Sequence, residues 1–290
     1  MTKKDLYSAL NNVSPIFNKV LSRRLRVLAY HAVPDKNAFD LQLEYLSKNY
    51  NIISIKRLKA HLFEGQKLPK RPLLITFDDG DFSVYENGLP ILKKYKLDSC
   101  LFIITNLINS KESVWIKKVE KGEMNNGKTY ADARKEVARL KKTPNSKRIE
   151  EMKKFPPVSE KQLSTKELLE LSANKVFIGN HTHTHPMLDQ CNKEETILEL
   201  EKVKETMLSL GFEGYDVFAY PNGNEDEASN KILKEEGIKM AFLFDHKVNS
   251  KNINPLSISR IMVDSNTELN EFKTKVSGLH PFLFNLKSLF

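Results

Sequence analysis

The sequence predicts an α/β protein with a parallel sheet, of the kind that curls into a (β/α) barrel. Short apolar runs typical of buried strands recur along the chain, and patterns typical of helices separate most of them. The eight runs read RVLAYHAV, YNIISI, LLITF, CLFII, KVFIGN, DVFAYP, MAFLF and LSISRIMV. Because strands that alternate with helices form βα units, these strands are expected to pair in parallel.

The clearest helical pattern is NKEETILELEKVKETMLSLG, which follows the fifth apolar run. Its apolar residues recur at helical spacing, namely Ile197, Leu200, Val203, Met207 and Leu210. Gly211 is a typical stop signal for this helix. The segment DEASNKILKEEG has the same design and ends on Gly237. Both segments therefore supply the helical halves of βα units.

The alternation of strand-like and helix-like segments is interrupted at one place, and this interruption indicates the domain organisation. Residues 111–160 are strongly charged and lack strand-like runs, which predicts a helical insertion between two βα units. The single tryptophan, Trp115, lies in this insertion, where it could cap a pocket or anchor the insertion to the barrel. We expect an N-terminal helical extension over residues 1–24, one barrel domain over 25–275 and an apolar C-terminal extension over 276–290.

Composition limits the choice of partner and compartment. The chain has 290 residues and a formal net charge of +9, but its basic residues are scattered among acids. No nucleic-acid-binding motif is visible, so we predict no nucleic-acid partner. Two cysteines without a CxxC pattern fit a reducing compartment. No signal-peptide pattern and no stretch of about 18 apolar residues occurs, which predicts a cytoplasmic protein. The sequence predicts no particular oligomeric state.

The two ends of the chain are amphipathic or apolar. Apolar residues of the N-terminal segment recur at roughly helical intervals beside basic residues such as Arg23 and Arg24, and Pro15 is expected to divide this helix into two pieces. The C-terminal stretch GLHPFLFNLKSLF holds three phenylalanines and four leucines. Two interpretations stay open. The ends pack on the barrel or on each other, or they form a basic membrane-surface patch at the inner face of the membrane.

The stretch LLITFDDGD runs from an apolar strand directly into two carboxylates, Asp78 and Asp79, followed by Gly80. Aspartate and glycine favour turns, so a plain turn is one interpretation. The alternative is a pair of acids at the carboxyl end of a buried strand, where the active sites of barrel enzymes lie.

A second stretch, IGNHTHTHP, favours the alternative because it places three histidines after another strand. Neutral imidazole is the commonest metal ligand. His181 and His185 could converge on one ion if the chain turns, whereas a continued strand would put His181, His183 and His185 on one face. Two imidazoles and one carboxylate form a three-ligand metal site that leaves positions for water and substrate. The second carboxylate is then free to act as a base.

Three motifs together resemble a known family. TFDDG (76–80), HTHTHP (181–186) and FAYPNG (218–223) are similar to the first three motifs of the polysaccharide deacetylases, carbohydrate esterase family four. LAYHAVPD and SISRIMV extend the resemblance over roughly residues 25–275. The resemblance implies an irregular (β/α)7 barrel that hydrolyses an N-acetyl group on an amino sugar with the help of a metal ion.

The resemblance also implies roles for individual residues. Asp78 would be the general base. Asp79, His181 and His185 would hold a divalent transition metal, with zinc expected, and His183 would not be a ligand. The third motif would line the substrate groove through Tyr220, Pro221 and Asn222, and the backbone N–H of Asn222 would help to hold the oxyanion.

The chain departs from the family pattern at two of these positions and in a late motif. Ala219 stands where the family carries an arginine that orients the base, and Asn222 stands where it carries an aromatic residue. We expect Arg260, in SISRIMV, to replace that arginine by pairing with Asp78. The alternative is that Arg260 is an ordinary surface residue.

The expected catalytic acid is less clearly defined, because the family's late Leu-x-His motif is absent. His280 is late enough in the chain, although its spacing differs, and it is our predicted acid. His31 follows the first strand, is expected to face the same pocket and bind substrate, and is a second candidate for the acid. His246 is a third candidate.

Three functions compete on this sequence. The first is removal of an acetyl group from an amino sugar or oligosaccharide in glycan biosynthesis, with a nucleotide-linked, lipid-linked or short soluble sugar precursor as the expected substrate. The second is a related amide hydrolysis, by a sugar deformylase or a cyclic-amide hydrolase. The third is a barrel that binds glycan without catalysis.

Overall fold

The computed structural model describes residues 2–287, and within them eight strands form one curled, wholly parallel sheet. The strands are β1 (Arg26–Tyr30), β2 (Asn51–Ile52), β3 (Pro72–Phe77), β4 (Ser99–Ile103), β5 (Val176–Asn180), β6 (Val217–Ala219), β7 (Met240–Phe242) and β8 (Ile261–Met262). Their order is β7-β6-β5-β4-β3-β1-β8, and β2 pairs with β3 beside this path. Each of the eight apolar runs contributes one strand, so the predicted α/β barrel-like fold is confirmed.

Helices cover the sheet and form the insertion and the chain ends. They are α1 (Lys3–Val20), α2 (Lys36–Asn49), α3 (Ile55–Glu64), α4 (Leu89–Tyr95), α5 (Trp115–Asn125), α6 (Tyr130–Leu140), α7 (Asn145–Met152), α8 (Thr165–Ala173), α9 (Lys193–Ser209), α10 (Glu227–Glu235), α11 (Leu269–Ser277) and α12 (Leu279–Lys287). The predicted helix before Gly211 is α9, which begins with a capping box between Asn192 and Glu195.

The central strands explain why the chemical motifs come together. β3 is buried along its whole length and pairs with β1 from Arg26 opposite Leu73 to Tyr30 opposite Phe77. Because all strands run in the same direction, the residues that follow β3, β5 and β6 emerge at one edge of the sheet. The two acids, the histidine loop (residues 181–186) and the third motif follow these three strands.

The charged insertion is helical, as its composition predicts. Helices α5, α6 and α7 lie between β4 and β5, and an antiparallel bridge between Glu112 and Ser159 joins the two ends of the insertion. Apolar residues from these helices form a cluster of their own with neighbouring residues of the barrel, including Trp115, Val119, Val137, Leu140, Phe155 and Met187. The insertion is therefore a packed unit rather than a loose loop.

The N-terminal helix differs from its prediction. Pro15 was expected to divide it, but α1 runs unbroken through Pro15 from Lys3 to Val20. A proline inside a helix removes one backbone hydrogen bond. Packing of α1 against α11 holds the remaining turns in place, because most helical stability in proteins comes from tertiary contacts.

The chain ends pack together and also leave apolar side chains exposed. The rings of Phe17 and Phe282 lie 5.6 Å apart, so α1 and α12 are in contact. Ile16, Val20 and Phe282 are nevertheless 62%, 74% and 51% exposed. No helix in the described part of the chain is both long enough and apolar enough to span a membrane. The final residues of the predicted C-terminal extension, 288–290, lie outside the described residues.

Arg26 ties the two ends to the barrel. Its guanidinium is fully buried and donates to the carbonyl oxygens of Val276 at 2.7 Å and Ser277 at 2.9 Å, at the end of α11. It also donates to the Leu21 oxygen at 3.1 Å. A cation at the carboxyl end of a helix satisfies carbonyl groups that have no partner within the helix.

We predict that Arg26→Met lowers the free energy of unfolding by about 3 kcal/mol, because it leaves buried carbonyl groups without donors. Arg23→Met, which removes an exposed charge nearby, is the matched control and should change stability by less than about 0.5 kcal/mol. Urea denaturation followed by circular dichroism measures both. Equal effects of the two changes would show that Arg26 does not join the chain ends to the barrel.

Candidate metal and catalytic site

Both acids lie in a tight turn directly after β3. Asp78 continues the strand, since its backbone N–H donates to the Tyr30 oxygen at 2.9 Å. Asp79 then adopts a φ of 69°, a left-handed conformation that is uncommon for residues other than glycine. This reversal turns the two carboxylates to different surroundings, so adjacent acids have different partners.

The histidine loop after β5 also contains residues in the left-handed backbone conformation. Thr182 and His185 have φ values of 67° and 61°. The His185 N–H donates to Thr182 Oγ1 at 2.9 Å, and the carboxylate of Glu199 accepts from the N–H groups of His183 and Thr184 at 2.7 and 2.8 Å. Such conformations persist where their surroundings hold them, and they cluster at functional sites.

Asp79, His181 and His185 meet at one point. Asp79 Oδ1 lies 3.4 Å from His181 Nε2 and 3.5 Å from His185 Nε2. His181 Nδ1 lies 2.8 Å from the carbonyl oxygen of Ala219, which fixes the proton on Nδ1 and leaves Nε2 as a free electron-pair donor. The three residues form a group whose ligand atoms all lie within 4.8 Å of one another.

This arrangement fits a divalent metal ion. Around a tetrahedral ion with ligand bonds of about 2.1 Å, neighbouring donor atoms lie about 3.4 Å apart. Asp79 Oδ1 is buried and has no hydrogen-bond partner within residues 2–287. A buried carboxylate oxygen without a donor is costly, and a cation between it and the two imidazoles would satisfy it. His183 points elsewhere, because its Nδ1 lies 2.9 Å from Thr105 Oγ1.

Asp78 is paired with Arg260 rather than with this group. Two guanidinium nitrogens of Arg260 donate to the two carboxylate oxygens of Asp78, each at 2.7 Å. Arg260 is fully buried, and its Nε donates to the Leu243 oxygen at 2.6 Å. The interpretation of Arg260 as a surface residue is therefore wrong, and it makes the contact with Asp78 that was expected of it.

The charges around the two acids hold both ionised. Burial alone would raise the pKa of Asp78, but the charges of Arg260 and His181 outweigh it and keep the pKa below its usual value. Burial is also the largest influence on Asp79, yet the interactions with His181 and His185 keep its pKa well below the usual value. Burial lowers the pKa of His185 to about 3, which favours the neutral imidazole that a metal ion requires. At His181 burial is outweighed by the charges of Asp78 and Asp79, which raise the pKa, so metal binding there would release a proton.

The histidines considered as acids lie in different places. His31 lines the same cavity as Asp79, and its ring meets the Phe244 ring edge-on at 5.2 Å. His280 lies on α12, where its Nδ1 is 2.7 Å from His246 Nε2 and its ring stacks on Tyr7. His31 therefore lies in the cavity with Asp79, whereas the predicted acid His280 packs against His246 and Tyr7.

The third motif is placed partly as expected. Asn222 is exposed, has a φ of 61° and accepts a hydrogen bond from Lys141. Pro221 is buried, and the side chain of Tyr220 is fully buried with its hydroxyl bonded to Asn230 and Leu256. Tyr220 therefore supports the turn from inside, and this placement gives no support to its predicted contact with substrate.

A glycine is required in this turn. Gly223 has a φ of +76°, and a Cβ atom at this position would lie 2.4 Å from the backbone nitrogen of Phe244. The close approach keeps the third motif against the strand end beside Arg260.

We call Asp79, His181 and His185 the metal group. A cavity of about 100 Å³ opens next to it. It is lined by His31, Ala32, Asp79, Asp81, Leu107, Val114, Lys117, Glu160, Lys161 and Gln162. A larger cleft of about 570 Å³ lies between α1 and α2 and contains none of the predicted site residues. Cleft size alone would therefore select the wrong part of the molecule.

Sequence reasoning missed two supporting residues, Glu199 and Lys141, and left two roles open for a third, Trp115. Trp115 Nε1 donates to the carbonyl oxygen of His185 at 2.8 Å, so it anchors the insertion to the histidine loop. Glu199 holds the same loop from α9, and Lys141 reaches the third motif from the end of α6. The unique tryptophan was a usable signal. Nothing in the sequence marks Glu199 or Lys141 among the many other charged residues.

The fold and site define an α/β barrel-like protein whose strand ends carry a candidate metal centre beside a buried carboxylate. Residues 65–241 match the family described as polysaccharide deacetylase. Because this match spans more than half of the chain, the chain belongs to the polysaccharide deacetylase family.

Individual relatives agree with this assignment. A poly-beta-1,6-N-acetyl-D-glucosamine N-deacetylase from Staphylococcus aureus strain MRSA252 is 28% identical over 239 residues, covering 79% of this chain and 67% of the relative. The same enzyme from strain MSSA476 is 26% identical over 229 residues, with the same coverage. The prediction of a carbohydrate deacetylase, a hydrolase of carbon–nitrogen bonds outside peptides, is confirmed at the level of the family.

Solved structures share the fold. The Streptococcus pyogenes deacetylase PplD, solved in complex with acetate, superposes with a TM-score of 0.64 at 20% identity, over 88% of this chain and 99% of that one. IcaB from Ammonifex degensii superposes with a TM-score of 0.63 at 19% identity, over 89% of this chain and 97% of that one. At these identities the likeness concerns the fold.

We predict that the purified protein binds about one equivalent of a divalent transition metal, and that His181→Ala and His185→Ala each lose it, because each removes one of three ligands. His183→Ala is the matched control and should retain the metal, since this ring contacts Thr105 instead. Elemental analysis after dialysis measures the metal content. Loss in His183→Ala with retention in His181→Ala would overturn the ligand assignment.

Proposed function

We propose that the protein is a metal-dependent N-deacetylase that removes an acetyl group from an amino sugar in a glycan or glycan precursor. The observation that carries the proposal is the buried Asp78 carboxylate, fixed by Arg260, beside an unsatisfied Asp79 oxygen and two imidazole nitrogens. The family supplies the reaction class, and these contacts supply the residues.

The adjacent acids Asp78 and Asp79 have different proposed roles. A divalent ion held by Asp79, His181 and His185, with zinc as our expectation, supplies Lewis acidity that makes water more acidic and the acetamido carbonyl more electrophilic. Asp78 takes the proton from the attacking water, because its carboxylate is ionised and oriented by the bidentate contact with Arg260. Arg260 is thus a positioning residue, since its own contacts are with Asp78 and the protein scaffold.

The leaving nitrogen requires a proton when the carbon–nitrogen bond breaks. His31 lies in the cavity that contains Asp79, and we propose it as the donor. His280, the acid predicted from the sequence, lies on α12 and contacts His246 and Tyr7 of α1. The backbone N–H of Asn222 is proposed to receive the developing oxyanion, as the family resemblance implies.

The cavity size suggests how the substrate lies. Pockets that enclose whole small ligands usually measure about 300–1,000 Å³. A cavity of about 100 Å³ suits the acyl group and its nitrogen, with the sugar lying across the opening. The Staphylococcus aureus relatives are named for an N-acetylglucosamine polymer, and an acetylated amino sugar is accordingly our proposed substrate class.

We predict that Asp78→Asn lowers acetate release from acetylated amino-sugar oligomers by a factor on the order of 10² to 10⁴ while the metal is retained, because the base is lost and the ligands stay. Asp79→Asn is the matched contrast, since it removes a ligand and should release the metal. Enzymatic determination of acetate, run beside elemental analysis, measures both.

The same assay separates the competing functions. Formate release from formylated sugars, with no acetate from acetylated ones, would favour a deformylase. Glycan binding without release of either acid would favour a non-catalytic barrel. Equal metal loss in Asp78→Asn and Asp79→Asn would show that the two acids chelate together and that the base lies elsewhere.

We further propose that α1 and α12 contact an anionic membrane surface, which would bring the site to a lipid-linked glycan. Val13, Ile16 and Val20 lie three or four residues apart on α1 and are exposed, and the exposed Phe282 lies on the adjoining helix. The basic residue Arg23 follows directly and is exposed. Apolar side chains beside cations are typical of interfacial helices. The cytoplasmic location stays a prediction.

We predict that the full chain floats with anionic liposomes at low salt. Ile16→Ser/Val20→Ser should abolish flotation, because these changes remove apolar side chains that would insert into the membrane surface. The matched control is Leu198→Ser/Leu208→Ser, which changes two half-exposed leucines on α9. Co-flotation that persists in the α1 variant, or that disappears in both, would contradict the assigned surface.

A further inference from the structure

The insertion places a cation over the third motif. Lys141 directly follows α6, and its Nζ donates to the side-chain oxygen of Asn222 at 2.5 Å. Asn222 is the exposed residue of the turn that emerges beside the metal group. The same turn follows Ala219, whose carbonyl oxygen lies 2.8 Å from His181 Nδ1, so the turn that Lys141 contacts adjoins the metal group.

Several cations of the insertion pair with acids close to them. Lys117 pairs with Glu160 at 2.6 Å, and Arg134 pairs with Glu120 at 2.6 Å. Lys141 makes no ion pair with a carboxylate within residues 2–287, and its hydrogen-bond partner is the neutral amide of Asn222. Unlike Lys142, which is exposed, it is also partly buried.

The surroundings leave this positive charge under-compensated. The side chain is partly buried, and burial and the nearby Arg134 charge lower the pKa of Lys141 by more than the charges of Asp79 and Glu120 raise it. A partly desolvated ammonium with one neutral acceptor retains donors for another group. An oxyanion is the natural partner, because hydrogen bonds between charged groups are stronger than those to an amide oxygen.

We propose that Lys141 is a specificity-determining residue that binds an oxyanion carried by the substrate, a phosphate or a carboxylate, next to the acetylated amino sugar. The inference rests on the proposed function, since it assumes that the sugar lies between the metal group and the third motif. It adds a selection for anionic sugars over neutral ones, exerted by a residue that belongs to the insertion rather than to the barrel.

A purely structural role makes a different prediction. If Lys141 only attaches the insertion to the third motif, its loss should weaken binding of neutral and anionic sugars alike. If it recognises an oxyanion, its loss should affect anionic sugars alone. Charge and hydrogen bonding can also be separated, because arginine keeps the charge and glutamine removes it.

The test is titration calorimetry on the metal-loaded protein, with N-acetylglucosamine 1-phosphate and N-acetylmuramic acid as the phosphate and carboxylate probes and N-acetylglucosamine as the neutral probe. We expect Lys141→Gln to weaken binding of at least one anionic probe by about 10- to 100-fold, the range for a charged hydrogen bond. Binding of the neutral probe should stay unchanged, and Lys141→Arg should restore most of the lost affinity.

Lys142→Gln is the matched control, because it removes the same charge from the next residue, which is exposed. It should leave all three affinities unchanged. The proposal is overturned if Lys141→Gln weakens the neutral probe equally, if Lys142→Gln has the same effect, or if the wild type binds all three probes with equal affinity. Binding is measured without turnover, so a failure to release acetate would count against the proposed function and not against this one.

Discussion

The buried ion pair between Asp78 and Arg260 is the interaction on which the catalytic end of the barrel depends. Arg260 precedes β8, whereas Asp78 follows β3, and the guanidinium also bonds to the Leu243 oxygen after β7 and to Thr76 Oγ1 at 3.2 Å. One side chain thus joins three strand ends. Removing one member of such a pair leaves an uncompensated buried charge, which is far more costly than losing both.

That pair also explains how two adjacent acids differ. The bidentate contact occupies both oxygens of Asp78 and keeps it ionised, while the left-handed turn directs Asp79 toward the imidazoles. The histidine loop has to hold a similarly unusual backbone, and it does so with contacts from three directions. Thr182 bonds within the loop, Glu199 supports it from α9 and Trp115 supports it from the insertion. Unusual conformations at the site are therefore offset by hydrogen bonds from the scaffold.

Local patterns predicted much of this architecture. The eight apolar runs became the eight strands because periodicity and β-propensity act over a few residues. The acids and histidines were recognisable because each follows a strand, and a parallel sheet brings strand ends together. Pro15 was misjudged for the opposite reason, since tertiary packing of α1 on α11 overrides a local helix breaker.

The remaining site residues depend on long-range placement that no short pattern contains. Lys141 and Asn222, for example, are 81 positions apart. The sequence favoured His280 over His31 as the acid, because only the fold shows that α12 packs on α1 whereas His31 lines the cavity. Sequence identified the chemistry of the site, and the fold determined which charged residues approach it.

The central claim is that Asp78 and Arg260 act as one catalytic unit beside the metal group. The most direct test is a double-mutant cycle on acetate release, with Asp78→Asn, Arg260→Met and the double variant, each confirmed to be folded and metal-loaded. Residues that act as a unit are non-additive. We predict that each single change lowers the rate by a factor on the order of 10² or more, and that the double variant is no slower than the slower single variant. A double variant whose loss equals the product of the two single losses would contradict the account.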